Sequence, residues 1–230
     1  MITVNFMKIF QPFYCKDIIR LGKDYDGGYL VNKQDIIKTK KLISLGVGDD
    51  YSFEKDFNTI NNCEIVAYDG TINPNQEFLI NFYKNNKTFI NKNIGTGKDE
   101  IPFSSIIGDK DVFLKCDIEE HEYSILNDII NHSNLFSGIA IEFHNINFKD
   151  HWNELLNFIS KIDLKLVHVH VNNSFYYING DQCIPDVIEL SFTSSDNISL
   201  DESIILPHAL DMPNMLDREE FKITFHKMQY

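Results

Sequence analysis

A mainly parallel α/β sheet of seven strands, with helices on both faces, is the fold that this sequence predicts. Apolar runs of strand length alternate with longer amphipathic segments, which is the pattern of βαβ units. The first of these runs opens into Gly46-Val47-Gly48 and the second ends in Asp69-Gly70, the layout of a nucleotide-binding sheet edge. The last two runs follow one another without a helix between them, which places an antiparallel hairpin at one edge.

Taken in order, strands are expected at 42–47, 64–68, 88–93, 112–117, 138–143, 165–171 and 187–193. Helices are expected near 51–61, 75–84, 121–131 and 150–161. Pro74 stands where the second helix begins, a position that has no need of its missing N–H. Gly138 breaks the pattern at the start of the fifth strand. In the fourth helix Trp152, Leu155, Leu156 and Ile159 recur at helical spacing and read as core. The stretch from Asn172 to Pro185 reads as a loop between the last two strands. No internal repeat or Pro/Ser-rich linker divides the chain, so residues 1–230 are expected to form a single domain.

Composition narrows the classes. With 43% hydrophobic residues, 230 residues are enough to bury one sizeable core. The longest apolar runs, such as Ile139 to Phe143, fall far short of the roughly 20 residues that cross a bilayer. The opening MITVNFMKIFQPFYCKD has no basic stretch followed by a long apolar one, so a cytoplasmic protein is expected. Cys15, Cys63, Cys116 and Cys183 lie far apart without a CxxC pair and read as free buried thiols. Net charge is −13, with only two arginines, Arg20 and Arg218. Such a surface repels the phosphate backbone, so nucleic acid is not an expected partner. It also repels phosphorylated small molecules unless a local cation intervenes.

In an open α/β sheet, ligands collect at the carboxyl ends of the strands. Gly46 and Gly48 let the backbone approach a ligand closely, and Asp69, about 20 residues further on, is placed to accept both hydroxyls of a ribose. Together they point to a nucleoside cofactor. The third glycine of the dinucleotide fingerprint is absent, because Gly48 is followed by DDYSFEK, and this argues against NAD and FAD. After the fourth strand comes Asp117-Ile118-Glu119-Glu120-His121-Glu122; four acids around one strand end favour a bound cation or a raised pKa over helix capping alone. The fifth strand ends in His144 and Asn145. In LVHVHVNN, His168 and His170 share one face, followed by Asn172 and Asn173, which suggests a polar pocket. Histidine there serves either as general base or as metal ligand.

From about Arg20 to Thr193 the chain resembles FkbM-type S-adenosylmethionine-dependent methyltransferases, a family associated with bacterial glycan and capsule pathways. RLGKDYDGGYLV, LGVGDDYSFE, VAYDG, DVFLKCDIEEHEYSIL, IAIEFHNI, HVHVNN and PDVIELSF carry the resemblance, in that order. It implies a Rossmann-like class I methyltransferase sheet over 41–230, with residues 1–40 as an N-terminal cap. It also implies that Gly46, Gly48 and Asp49 line S-adenosylmethionine while Asp69 holds its ribose. Asp26, Gly27, Gly28 and Tyr29 would form a lid or wall, and Asp117 and Glu119 would lie near the transferred methyl group. The chain departs from the family at Glu120-His121, where glycine and a small residue are common.

Asp-Ile-Glu stands where amine methyltransferases commonly carry an Asn/Asp-Pro-Pro-Tyr turn, so transfer to oxygen is expected. The acceptor is then a sugar hydroxyl, in a nucleotide-activated sugar or a surface glycan, bound by His168, Asn172 and Asn173. Asp117, Glu119, His144 and His170 are the catalytic candidates, and magnesium or manganese held by Asp117, His144 and His170 is a further expectation. The competing classes are a nucleotide-sugar oxidoreductase or epimerase, disfavoured by the missing third glycine, and a non-catalytic binding relative. The apolar segment from Ile204 to Met215 is either the interface of a homo-oligomer or a core flap.

Overall fold

The computed structural model describes residues 2–180, 182–201 and 203–226. Its centre is a seven-stranded sheet built from β4 (Lys41–Leu45), β5 (Glu64–Tyr68), β6 (Lys87–Ile90), β7 (Val112–Cys116), β8 (Phe136–Phe143), β9 (Lys165–Val171) and β12 (Ile188–Thr193). The spatial order is β6-β5-β4-β7-β8-β12-β9. β4 pairs in parallel with β5 and β7, β5 with β6, and β7 with β8; β12 runs antiparallel to both β8 and β9. That order, with its one reversed strand, is the Rossmann-like class I methyltransferase sheet. The dinucleotide fold instead has six parallel strands in the order 3-2-1-4-5-6.

Each sheet strand begins within two residues of its expected position. α2 (Ser52–Ile60), α3 (Glu77–Phe82), α4 (Leu126–Asn131) and α5 (Lys149–Lys161) are the four expected helices. The third is shortened, because His121–Ser124 forms a 3-10 turn before α4. The antiparallel pair lies at the expected edge, with the later strand β12 on the inside and β9 outermost.

Four pieces were not expected. β2 (Ile18–Leu21) and β3 (Tyr29–Asn32) make a hairpin, followed by α1 (Lys33–Lys38), whose first turn is capped by the Asn32 side chain. β10 (Tyr176–Asn179) and β11 (Gln182–Pro185) fold the expected loop into a second hairpin. β1 (Thr3–Met7) pairs in parallel with β13 (Lys222–His226).

The two faces of the sheet differ. One is apolar throughout and packs Ile43, Leu114, Ile139, Ile141 and Val169 with Leu155 and Phe158 of α5. The other carries Leu42, Phe113 and Ala140 towards the amino ends of the strands, where Phe53 and Phe57 of α2 cover them. Towards the carboxyl ends the same face changes character. Side-chain alternation brings Ser44, Lys115, Glu142, Glu189 and His170 onto it, and every one is buried. Interior strands of a parallel sheet are ordinarily apolar on both sides, so this buried polar band departs from the usual pattern.

Candidate functional site

The polar band opens into a cleft of about 380 Å³ at the carboxyl ends of β4, β5 and β7. Gly46 and Gly48 form its floor, both with positive φ (76° and 57°). A Cβ on Gly46 would lie 1.7 Å from the Asp117 carbonyl oxygen, so only glycine lets the turn close against β7. A Cβ on Gly48 would meet nothing within 4 Å, because that position faces open space. Asp49, in the same turn, also lines the cleft.

Asp69 braces this turn. Its Oδ2 accepts from Val47 N (3.1 Å) and Gly48 N (2.9 Å), and its Oδ1 accepts from Thr71 N (2.8 Å) and the Thr71 hydroxyl (2.6 Å). Burial alone would raise its pKa, but the donors from Thr71, Gly48 and Val47 hold it below the usual aspartate value. Asp26, Gly27 and Lys23 supply another wall, and Lys23 lies 3.6 Å from Asp50. Gly28 serves a different purpose from the one expected. Its missing side chain leaves room for the Arg20 guanidinium, which donates to the Lys23 and Tyr25 carbonyls and shapes the 23–28 loop from beneath.

At the end of β7, Asp117 is held on one side. Its Oδ2 accepts from the Tyr29 hydroxyl at 3.0 Å and lies 3.4 Å from the Lys115 ammonium, which also donates to the Gly46 carbonyl. Tyr29, only 2% exposed, touches Glu142 Oε2 at 3.1 Å as well. The one phenolic hydrogen is thus shared between the Asp117 and Glu142 oxygens. Burial, then the charges of Asp117 and Glu189, push the Glu142 pKa well up. Tyr29 is therefore a buried bracket for Asp117 and not a face of the cleft.

His144 stands between carboxylates. Its Nδ1 is 3.3 Å from Glu122 Oε1, while Nε2 is 3.4 Å from Glu119 Oε2 and 3.9 Å from Asp117 Oδ1. Burial works against its charge, yet Glu122, Glu142 and Asp117 together raise its pKa to about 10. Asp117, Glu119 and His144 bring one ligand atom each within 4.8 Å of one another. Glu119 and Glu120 both adopt left-handed backbone (φ 50° and 74°), so the departure from glycine at position 120 is carried as local strain.

His170 does not join this group. It sits within β9, its Nδ1 3.2 Å from Glu189 and its Nε2 3.3 Å from Glu220, and burial is outweighed by Glu189, Glu220 and Asp211, which keep it charged. The expected ligand set of Asp117, His144 and His170 is thus corrected: Glu119 stands where His170 was expected. His168 pairs with Asp211 at 3.0 Å. Asn172 donates to Glu142 Oε1, and Asn173 binds the Met215 and Arg218 carbonyls. His168, Asn172 and Asn173 are 3%, 5% and 1% exposed, so these expected acceptor contacts face no open space here. His168 and Asn173 anchor the segment after Ile204, which lies over this end of the sheet as a flap: its own Leu206 is buried, and its Asn214 donates to Glu189.

Lys115, Glu54, Glu142 and Glu189 were not singled out from the sequence. Three of them left a signal, each a lone charge within an apolar strand: VFLKC, IAIEF and VIELSF. Three of the four cysteines are buried and all are free, as expected. Among the described residues no helix is long and apolar enough to cross a membrane.

No protein-family model matches the chain, and no curated protein matches it by sequence. Solved structures do resemble it. A precorrin-6y C5,15-methyltransferase from Geobacter metallireducens aligns over 70% of this chain and 85% of its own, at 15% identity and a TM-score of 0.41. The fibrillarin pre-rRNA processing protein of Methanococcus jannaschii aligns over 69% of this chain and 68% of its own, at 12% identity and a TM-score of 0.41. The 16S rRNA (adenine(1408)-N(1))-methyltransferase from Catenulisporales acidiphilia aligns over 71% and 91%, at 10% identity and a TM-score of 0.39. At these scores they carry no substrate over to this chain. They do correct one expectation: proteins named for ribosomal RNA stand among the neighbours, and the exclusion of nucleic acid is withdrawn. Net charge is a sum over the whole surface, whereas a partner meets only the local field.

Proposed function

We propose that this chain is an S-adenosylmethionine-dependent O-methyltransferase of the FkbM type, acting on a sugar hydroxyl of a nucleotide-activated sugar or a surface glycan. The observation that carries the proposal is the cleft itself. A glycine turn, an acid at the end of the next strand, and a braced carboxylate at the end of β7 converge on one opening. The cleft has a volume within the usual range of small-ligand sites. Gly48, open on its cleft side, and Asp69 fit a nucleoside, and the reversed strand β12 speaks against the dinucleotide alternative.

The bound cofactor supplies a methyl group on a positively charged sulfur, already a reactive donor. What remains for the protein is to align the acceptor oxygen and remove its proton. Asp117 has the geometry to take that proton, since Lys115 and Tyr29 fix Oδ2 while Oδ1 is left on the cleft side near His144. His144 keeps its own proton up to about pH 10 and so is not the base; its charge instead attracts the developing alkoxide. A divalent cation is the second form of the proposal. Asp117, Glu119 and the Nε2 of His144 would hold it, with Glu122 orienting the ring through Nδ1, and it would lower the hydroxyl pKa.

Calorimetric titration with S-adenosylhomocysteine, with NAD as the competitor, tests the cofactor. Binding of the former alone is expected, and binding of NAD alone sinks the reading. Methyl transfer to a panel of nucleotide sugars tests the rest. Asp117→Asn is expected to retain cofactor binding and lose about 100-fold or more in turnover. An unchanged rate after thorough chelation removes the metal.

A further inference from the structure

Asp69 is the carboxylate on which the cofactor reading depends, and its acceptor positions are already filled. A carboxylate offers about four lone-pair sites. Here two take the Val47 and Gly48 amides and two take the amide and hydroxyl of Thr71. A ribose hydroxyl reaches Asp69 only by displacing one of these donors. The Val47 and Gly48 amides leave only if the glycine turn opens. The Thr71 amide is held in a tight turn two residues beyond the acid. The Thr71 hydroxyl, in contrast, moves by rotation about a single side-chain bond, and threonine has more than one accessible rotamer. Thr71 is also exposed on the cleft wall, so nothing packed against it opposes that rotation.

We propose that the Thr71 hydroxyl is an internal surrogate for a ribose hydroxyl. It occupies Oδ1 of Asp69 in the free protein and gives way when the cofactor binds, so it sets the affinity of the site. The inference rests on the S-adenosylmethionine reading of the cleft. It assigns Thr71 a restraining effect: the residue weakens binding by competing for the same lone pair. The low pKa of Asp69 agrees with this, since four donors keep the buried carboxylate ionised before any ligand arrives.

The test is calorimetry of the full chain with S-adenosylhomocysteine, comparing wild type with Thr71→Val, Thr71→Ala and Thr71→Ser. Loss of one net hydrogen bond to be displaced corresponds to a gain of roughly fivefold to tenfold in affinity. Thr71→Val and Thr71→Ala are both expected to show that gain, which keeps the result independent of the valine branch. Thr71→Ser retains the hydroxyl and is expected to bind as wild type does. The gain should vanish for an analogue lacking both ribose hydroxyls. Equal or weaker binding by Thr71→Val and Thr71→Ala, or a gain that persists with the analogue, overturns the proposal while leaving the cofactor reading intact. No binding by the wild type overturns the cofactor reading itself, before any variant is compared.

Discussion

Exchange of Lys115 for methionine takes a buried ammonium out from among carboxylates. The side chain is 8% exposed, lies 3.4 Å from Asp117 Oδ2, and sits over the Tyr29 ring at 5.8 Å. Burial works against its charge, but Asp117, Glu54 and Glu142 more than offset this and raise its pKa above that of a free lysine. A raised lysine pKa means the stabilisation is complete below the unfolded value of about 10.4 and is lost only as pH climbs through the higher folded one. At an effective dielectric of about 20, two charges at this distance attract by roughly 5 kcal/mol before desolvation is subtracted. Removing one partner of a fully buried pair costs about 3–5 kcal/mol. Asp117 retains 26% exposure, so water recovers part of that; the expected loss is about 2–3 kcal/mol. In urea this moves the midpoint down by about 1 M at a slope of about 2.5 kcal/mol/M. A companion variant, Lys115→Met with Asp117→Asn, should recover part of the loss, because the orphaned charge is gone. A loss under about 0.5 kcal/mol, or a double variant equal to the sum of its parts, would refute the view that Lys115 holds this site together.

Gly46→Ala should cost about 2 kcal/mol or more and abolish S-adenosylhomocysteine binding, since its Cβ meets the Asp117 carbonyl at 1.7 Å; a melt matching wild type counts against the packed turn. Tyr29→Phe frees Asp117 Oδ2 and should destabilise the fold by about 1–3 kcal/mol, lowering turnover while cofactor affinity holds; equal losses in both would contradict its role as a bracket. Glu120→Gly relieves a left-handed non-glycine residue (φ 74°) and should raise stability by about 0.5–1 kcal/mol, read as an upward shift in melting temperature. For His144 in metal-free protein, ring NMR signals should stay constant from pH 6 to 8. Its raised pKa adds stability that is present below about 6.5 and disappears as pH passes about 10; a ring titrating between 6 and 7 contradicts the carboxylate cage.

The sheet was legible because its strands are short, apolar and separated by amphipathic helices; β4, β5 and β7 through β9 each read as a continuous run. α1 escaped because six residues give too little periodicity, and β1 and β13 because their pairing joins segments far apart in sequence. Gly46, Gly48, Asp69 and Asp117 were legible from their place at strand ends. His168 and His170 misled, because alternation tells which face a side chain takes but not what covers that face. The covering flap comes from residues after 204, and its ionic partners Asp211 and Glu220 carry no local pattern that ties them to β9. Lys115, Glu142 and Glu189 were readable in retrospect, as single charges in strands that otherwise exclude them.

The pairing of β1 with β13 has a kinetic meaning. Thr3 lies beside Lys222, so this contact encloses nearly the whole chain in one loop, whereas β4 meets β5 and β7 through shorter loops, with Lys41 beside Glu64 and Val112. Closing so long a loop carries a large entropic cost, and such contacts are expected to form after the local ones and to open before them. Phe6, within β1, and Phe10, just beyond it, stack on Trp152 of α5, with ring centres at 6.2 Å and 5.3 Å. Trp152 is the sole tryptophan of the chain. Its fluorescence therefore reports the closing of this terminal latch, and the time lag between that signal and the growth of sheet structure measures how long the molecule works, or waits, unlatched.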